Sequence, residues 1–138
     1  MDEAVIRYYR RMLKAGFEHA GSLRDPSIML DSVGEGIRFC GGHPADYMHV
    51  YIRVRNSRVD DIKYLCNCDP AANVVVEVLC NLVKGRTLEE VSGTTEEMFY
   101  HAVGSRSEEV RKKTRGILEL LGRGLTRYRT ASQAGFTA

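Results

Sequence analysis

The hydrophobic pattern of the chain passes from a helical period to strict alternation and back again. In residues 3–15, Val5, Tyr8, Tyr9, Met12 and Leu13 fall at helical spacing and predict a first helix. Residues 16–36 keep no period, carry Pro26 and several glycines, and read mostly as loop. The "GIRFC" of 36–40 reads as a short strand with Ile37 and Phe39 on one face. Residues 47–55, "YMHVYIRVR", alternate cleanly: Met48, Val50, Ile52 and Val54 inward, Tyr47, His49, Tyr51 and Arg53 outward. Asn56 and Ser57 make a two-residue hairpin loop, since Asn tolerates positive φ, and residues 58–65 return as the antiparallel partner.

Helical spacing resumes after Asp69, a good N-cap, and Pro70, a good first-turn residue. Val74, Val75, Val78, Leu79, Leu82 and Val83 form one broad stripe running to about Lys84, and Gly85 stops the helix. "TLEEV" opens a short helical piece, and Thr94 or Thr95 caps another that ends near Gly104. The "SRSE" of 105–108 fits a capping box for a last helix with Val110, Thr114, Ile117, Leu118, Leu121 and Leu125 on one face. Gly122 and Gly124 weaken its end, and residues 130–138 are expected to form a flexible tail. The sum is one α+β domain over 1–138, a small antiparallel sheet of about three strands with helices packed on one face.

Composition narrows this only slightly. With 138 residues, 43% apolar and 28% charged, the chain is long enough to bury a core without staples. No basic start leads into an apolar stretch, and the best apolar run, "VVVEVLCNLV", is broken by Glu77 and too short to span a bilayer. A cytoplasmic protein without membrane contact is expected, its four cysteines free thiols or metal ligands rather than disulfides. Residues 106–129 hold eight Lys and Arg against three Glu, a charge run read as a solvated helix face rather than a nucleic-acid footprint. No paired-carboxylate, nucleophile-elbow or phosphate-loop pattern occurs, so a binding protein is expected and not an enzyme.

The chemistry gathers in "YLCNCDPAAN", residues 64–73. Cys68 falls just ahead of a predicted helix N-terminus, where unpaired N–H groups and the helix dipole favour a thiolate. Cys66, two residues back on an extended chain, points to the same side. Cys40 closes the predicted first strand, and "CGGHPAD" supplies His43 and Asp46 in the next loop. If that strand lies beside the hairpin, Cys40, Cys66 and Cys68 meet at one end of the sheet. Thiolates favour zinc, copper(I) and iron–sulfur centres over hard cations. Cys80, twelve residues beyond Cys68 and roughly 18 Å along a helix at 1.5 Å per residue, is read as a packing residue. His49 is assigned to cross-strand packing. His101 is a weak ligand candidate, and His19 has nothing near it in sequence that would make a site.

These segments together resemble the IscU/NifU-type iron–sulfur cluster assembly scaffolds. The resemblance rests on Cys40-Gly41, the hairpin "VRNSRVDDIKY", the cysteine-containing turn before "VVVEVLCNLVKG", and above all "LVKGRTLEEV". It implies a SufE/NifU-like α+β fold and a role in assembling [2Fe–2S] or [4Fe–4S] clusters, with sulfur from a cysteine desulfurase and transfer to apoprotein clients. It also implies metal ligation by Cys40, Cys66 and Cys68. Three departures stand against the family pattern. Gly42 replaces an Asp that follows the first cysteine, leaving Asp46 or His43 as substitutes. The second cysteine becomes the pair Cys66 and Cys68. The third, in a His-Cys pair at the start of the last helix, is replaced by a cation, Arg111, Lys112 or Lys113, which cannot ligate iron but can hold thiolates or an anionic cluster electrostatically. Any missing ligand would come from within the chain or from a second subunit of a homodimer. The alternatives kept open are a sulfur-relay protein of the SufE type carrying a persulfide on one cysteine, and a zinc protein with Cys40, Cys66, Cys68 and His43 or Asp46 as ligands.

Overall fold

The structure, a computed structural model, describes residues 2–133. Helix α1 (Glu3–Ala15) leads to strand β1 (Ile28–Asp31) and the single-turn α2 (Ser32–Glu35). Strands β2 (Tyr47–Arg55) and β3 (Arg58–Asn67) form the hairpin, followed by helices α3 (Pro70–Val83), α4 (Leu88–Ser92), α5 (Glu96–Val103) and α6 (Glu108–Gln133). The sheet is antiparallel in the order β1-β2-β3. The hairpin turn places Asn56 and Ser57 at φ 54° and 58°, the left-handed pair that a tight two-residue loop requires.

One face of the sheet carries Ile28, Leu30, Met48, Val50, Ile52, Ile62 and Tyr64, all buried beneath the helices. Helix α3 is the central element of that layer, apolar over most of its surface, and α1, α5 and α6 pack around it. The opposite face carries the partly exposed row Tyr47, His49 and Tyr51, with His49 Nε2 3.4 Å from Asp31 Oδ1 across the strands. His49 is thus engaged in cross-strand contact on the outer face.

The segment 36–40 is not a strand. The edge of β2 is taken by β1, with Leu30 opposite Val50 and Asp31 opposite His49. Beyond that pairing the Ser32 hydroxyl accepts from the Met48 N–H at 2.9 Å and closes the ladder. Ile37 and Phe39 are still buried, and Phe39 packs against α6 rather than in the sheet. The contact with α6 requires Gly116, where a Cβ would come within 2.7 Å of Phe39 Cβ. Gly124 plays the same part against Leu30 and Ile28 of β1. These glycines admit neighbours at close range, and α6 continues unbroken to Gln133. The expected tail is therefore helical over 130–133, and 134–138 lie outside the described residues.

The start of α6 also differs from the pattern. Its cap is Ser107, whose hydroxyl accepts from the Val110 N–H at 3.3 Å. The Ser105 hydroxyl instead donates to the Asp2 carboxylate, tying the start of α1 to the α5–α6 connection. Asp2 also caps α1 through the Ala4 N–H at 2.8 Å, and these bonds hold its carboxyl down to about 2. Among the described residues no helix is long and apolar enough to cross a membrane.

Candidate thiol site at the end of the sheet

Two backbone features bring distant cysteines together. Asp69 donates its N–H to the Cys40 carbonyl at 2.9 Å, which lays the 40–42 loop beside the turn leading into α3. Asp69 then caps α3, its Oδ1 accepting from the Ala72 N–H at 2.9 Å, with Pro70 in the first turn. Cys40 and Cys68 consequently face each other with Cα atoms 4.4 Å apart, and they are joined as a disulfide. This corrects the expectation of free thiols for that pair; Cys66 and Cys80 are free.

Cys66 behaves differently from Cys68. It sits on β3 opposite Met48, on the face that carries Ile62 and Tyr64, and packs against the core. Burial pushes its thiol up to about 11. Cys68 lies beyond the strand end, its Sγ 3.3 Å from the Tyr47 carbonyl oxygen. Cys80 is fully buried in α3, and burial raises its thiol well above the ordinary range.

Charged groups ring the Cys40 loop. Gly41 and Gly42 take φ of 131° and 87°, values that disfavour a side chain. At Gly41 a Cβ would stand 3.0 Å from Asp46 Oδ2 and 3.4 Å from Asp69 Oδ2, so two carboxylates crowd the loop where glycine leaves space. Gly42, where the resemblance calls for Asp, instead opens toward empty space. Asp46 Oδ2 accepts from the His43 N–H at 2.9 Å, and His43 Nδ1 accepts from the Ala45 N–H at 3.2 Å, so the imidazole is folded into its own turn.

Of the three cations proposed at the start of the last helix, one reaches this ring. Lys113 Nζ lies 2.8 Å from Asp69 Oδ2 and also donates to the Phe39 carbonyl, on the peptide that links Phe39 to Cys40. Its side chain is only 11% exposed. Lys112 lines the more open cleft formed by Gly41, Gly42, Asp69 and Arg115. Arg111 has a buried, unpartnered Nε and acts electrostatically on Glu97 and Tyr100 of α5, so it faces that helix. On the other flank of the loop a cleft of ≈ 330 Å³ is lined by Val33, Ile37, Phe39, Cys40, His43 and Asp46. Sequence reasoning named Asp69 as a cap; its second role, holding Lys113, depends on a contact 44 positions away that no local pattern reports.

The arrangement offers two sulfurs, two carboxylates and one ammonium at a sheet end that is open on both sides. Reduced, it is a soft donor pair flanked by hard oxygens, a set that fits iron or zinc better than magnesium or calcium.

No family model matches the chain. It is 30% identical over 90 residues to the iron–sulfur cluster assembly scaffold proteins IscU 1 and IscU 2 of Archaeoglobus fulgidus, covering 64% of this chain and 57% of each relative. The chain thus spans little more than half the length of the curated relatives it matches. Its fold is similar to that of a NifU-like N-terminal protein of Brucella abortus, at TM-score 0.51 and 17% identity over 95% of this chain and 82% of that one. It is also similar to FiSufU, a proposed scaffold protein for the SUF system of Fervidobacterium islandicum AW-1, at TM-score 0.54 and 12% identity over 92% and 94%.

Proposed function

We propose that this chain, IscU/NifU-like in sequence and in fold, works as an iron–sulfur cluster assembly scaffold. It would hold iron and sulfide as transient cargo for delivery to apoproteins, with sulfur supplied by a cysteine desulfurase. The observation that carries this reading is the convergence of Cys40 and Cys68, 28 residues apart, beside Asp46 and Asp69 at one end of the sheet. The cargo is bound by the reduced chain, since a disulfide sulfur has no thiolate to offer. A dithiol reductant opens the Cys40–Cys68 bond by thiol–disulfide exchange, itself becoming a disulfide, and the two thiols released lose their protons on binding iron. Cys66, two positions from Cys68, is the candidate third thiolate. Its buried thiol makes it the more reluctant ligand. Of Arg111, Lys112 and Lys113, the three cations in the stretch where the resemblance calls for a His-Cys pair, Lys113 is the one that pairs with Asp69, and its positive charge favours an anionic cluster or a neighbouring thiolate.

The Cys40–Cys68 bond itself favours a second reading, a sulfur relay. A persulfide on one cysteine would be attacked by the thiolate of the other. The inner sulfur bonds to the attacking sulfur as its bond to the outer sulfur breaks, the outer sulfur leaves as hydrosulfide, and the attacking thiolate supplies the electrons that reduce it. One experiment separates the readings. The reduced chain is mixed anaerobically with a cysteine desulfurase and cysteine, with and without ferrous iron, and followed by absorption and intact mass. A scaffold develops sulfide-to-iron absorption that depends on iron. A relay gains the mass of one sulfur atom without iron, and returns to the disulfide form with release of sulfide.

A further inference from the structure

Away from the thiol site, the connection between α1 and β1 delivers a second set of metal-ligating groups to helix α3. The Tyr64 N–H donates to the His19 carbonyl at 2.9 Å and the Gly21 N–H to the Tyr64 carbonyl at 2.8 Å, so this connection is stitched to β3 like a short edge strand. The stitching fixes His19 beside α3 with its side chain buried. His19 Nε2 lies 2.9 Å from Asn81 Oδ1, 3.5 Å from Glu77 Oε2 and 3.9 Å from Glu18 Oε2. One donor atom from each of Glu18, His19 and Glu77 falls within 4.8 Å of the other two.

A buried carboxylate lies at the centre of this cluster. Glu77 is 4% exposed yet sits in the apolar helix α3 and forms no ion pair with Lys or Arg among the described residues. Its Oε1 shares the Tyr64 hydroxyl with Asn73 Oδ1, each 3.1 Å away, and that hydroxyl has one proton to give. Its Oε2 lies 3.5 Å from His19 Nε2, the nitrogen that also lies 2.9 Å from Asn81 Oδ1. Oxygens of Glu77 and Asn81 therefore converge on a buried imidazole nitrogen, and a cation there would offset the charge of a carboxylate that burial disfavours. Solvent reaches the point through a cleft of ≈ 310 Å³ whose walls include Glu18, Glu77 and Asn81.

We propose that Glu18, His19 and Glu77, completed by Asn81, form a mononuclear site for a divalent cation that ties the α1–β1 connection to α3. One imidazole and three oxygen donors suit zinc or a neighbouring first-row ion. Tetrahedral zinc holds such donors roughly 3.4 Å apart, so donors that now lie within 4.8 Å of one another close by up to about 1.4 Å, a movement open to the exposed Glu18 side chain. In the bound form His19 offers the Nε2 lone pair to the ion, its proton held on Nδ1. Tyr64 then acts as the outer partner of Glu77, orienting its carboxylate as the groups behind a metal ligand do. The exposed member is Glu18, 77% accessible, which acts as the closing ligand.

The test uses the full chain with Cys40, Cys66 and Cys68 all changed to Ser, so that no thiolate of the other site contributes. Zinc titration by calorimetry is expected to show one equivalent bound in this background. Cobalt(II) should give visible ligand-field bands without sulfur-to-cobalt charge transfer. Adding Glu18→Gln, a surface change that does not challenge folding, should weaken zinc about tenfold or more, and His19→Gln should do the same or worse. Glu18→Gln in the otherwise native chain should leave cluster reconstitution unchanged, which separates this site from the scaffold reading. The absence of a zinc equivalent in the triple-serine chain overturns the proposal. So does an affinity that Glu18→Gln leaves intact, whatever happens to the folding of the His19 variant.

Discussion

Lys113 carries a positive charge on a side chain that is almost enclosed, pinned between the Asp69 carboxylate and the Phe39 carbonyl. That placement distinguishes it from its neighbours: Lys112 lines the outer cleft, and Arg111 turns toward α5. If Lys113 stands in for a ligand, Lys113→Cys should slow the loss of a reconstituted cluster to a chelator by about tenfold, a size typical of changes at or next to metal ligands. Arg111→Cys should not slow it. The gain should disappear when Cys40→Ser is added, because both sulfurs serve one cluster. Stopped-flow bleaching of the visible band measures all three. Equal bleaching of the Lys113→Cys and parent chains would remove Lys113 from the site. A second residue-level expectation concerns Cys66. In a reduced variant with Cys66 as the sole cysteine outside the core, its alkylation rate should rise with a midpoint near 11, against about 8.5 for a free thiol. A midpoint at the free value would mean that Cys66 is more open to solvent than its position beside Met48 implies.

Among the elements, α6 and the 36–42 loop decide the geometry of the site. Gly116 lets the helix approach Phe39, and Phe39 delivers both Cys40 and the carbonyl that Lys113 holds. Gly116→Ala improves helix propensity by about 1 kcal/mol but overpacks a closed contact, typically at about 1–3 kcal/mol. We expect net destabilisation by denaturant titration, together with a lower yield of cluster, because Phe39 Cβ cannot move without its backbone. A more stable variant would contradict the packing of α6 on this loop. Asp2 makes a different prediction at the other end of the helical layer. Its folded carboxyl is held near 2, below the ~3.9 of an unperturbed Asp. The contribution is therefore present above pH ~4 and lost as pH falls through about 2, so Asp2→Asn should flatten the acid limb of the stability curve over that window. The hairpin and α3 were legible because their signals are local: alternation, an Asn-Ser turn, and an Asp-Pro start. The 36–40 segment was not, because alternating apolar residues cannot report that β1 already occupies the edge of β2. The capping residue of α6 was displaced for a similar reason, since Ser105 is recruited by Asp2, 103 positions away.

Over the whole molecule, the basic run of α6 is largely consumed internally. Arg106 pairs with Glu97, Arg115 with Glu96, Arg123 and Arg127 with Glu35, and Arg129 with the Leu88 carbonyl and the Ser92 hydroxyl. The charge run thus serves to dock α6 onto α2, α4 and α5, in keeping with a solvated and paired helix face. The meeting of Cys40 and Cys68 at one end of the sheet was foreseen, although Cys40 arrives on a loop held by the Asp69 N–H rather than at the end of a strand. The Glu18, His19, Glu77 and Asn81 cluster was not, since His19 meets Asn81 across 62 positions. The proposed scaffold role requires the reduced Cys40–Cys68 pair to bind an iron–sulfur cluster. The direct measurement is anaerobic reconstitution of the fully reduced chain with ferrous iron and sulfide, read by visible absorption and by bound iron and sulfide. Sulfide-to-iron absorption with matched iron and sulfide is expected in the parent chain, retained in Cys80→Ser and lost in both Cys40→Ser and Cys68→Ser. Absorption that survives loss of both Cys40 and Cys68, or that never forms in the reduced parent chain, would contradict it.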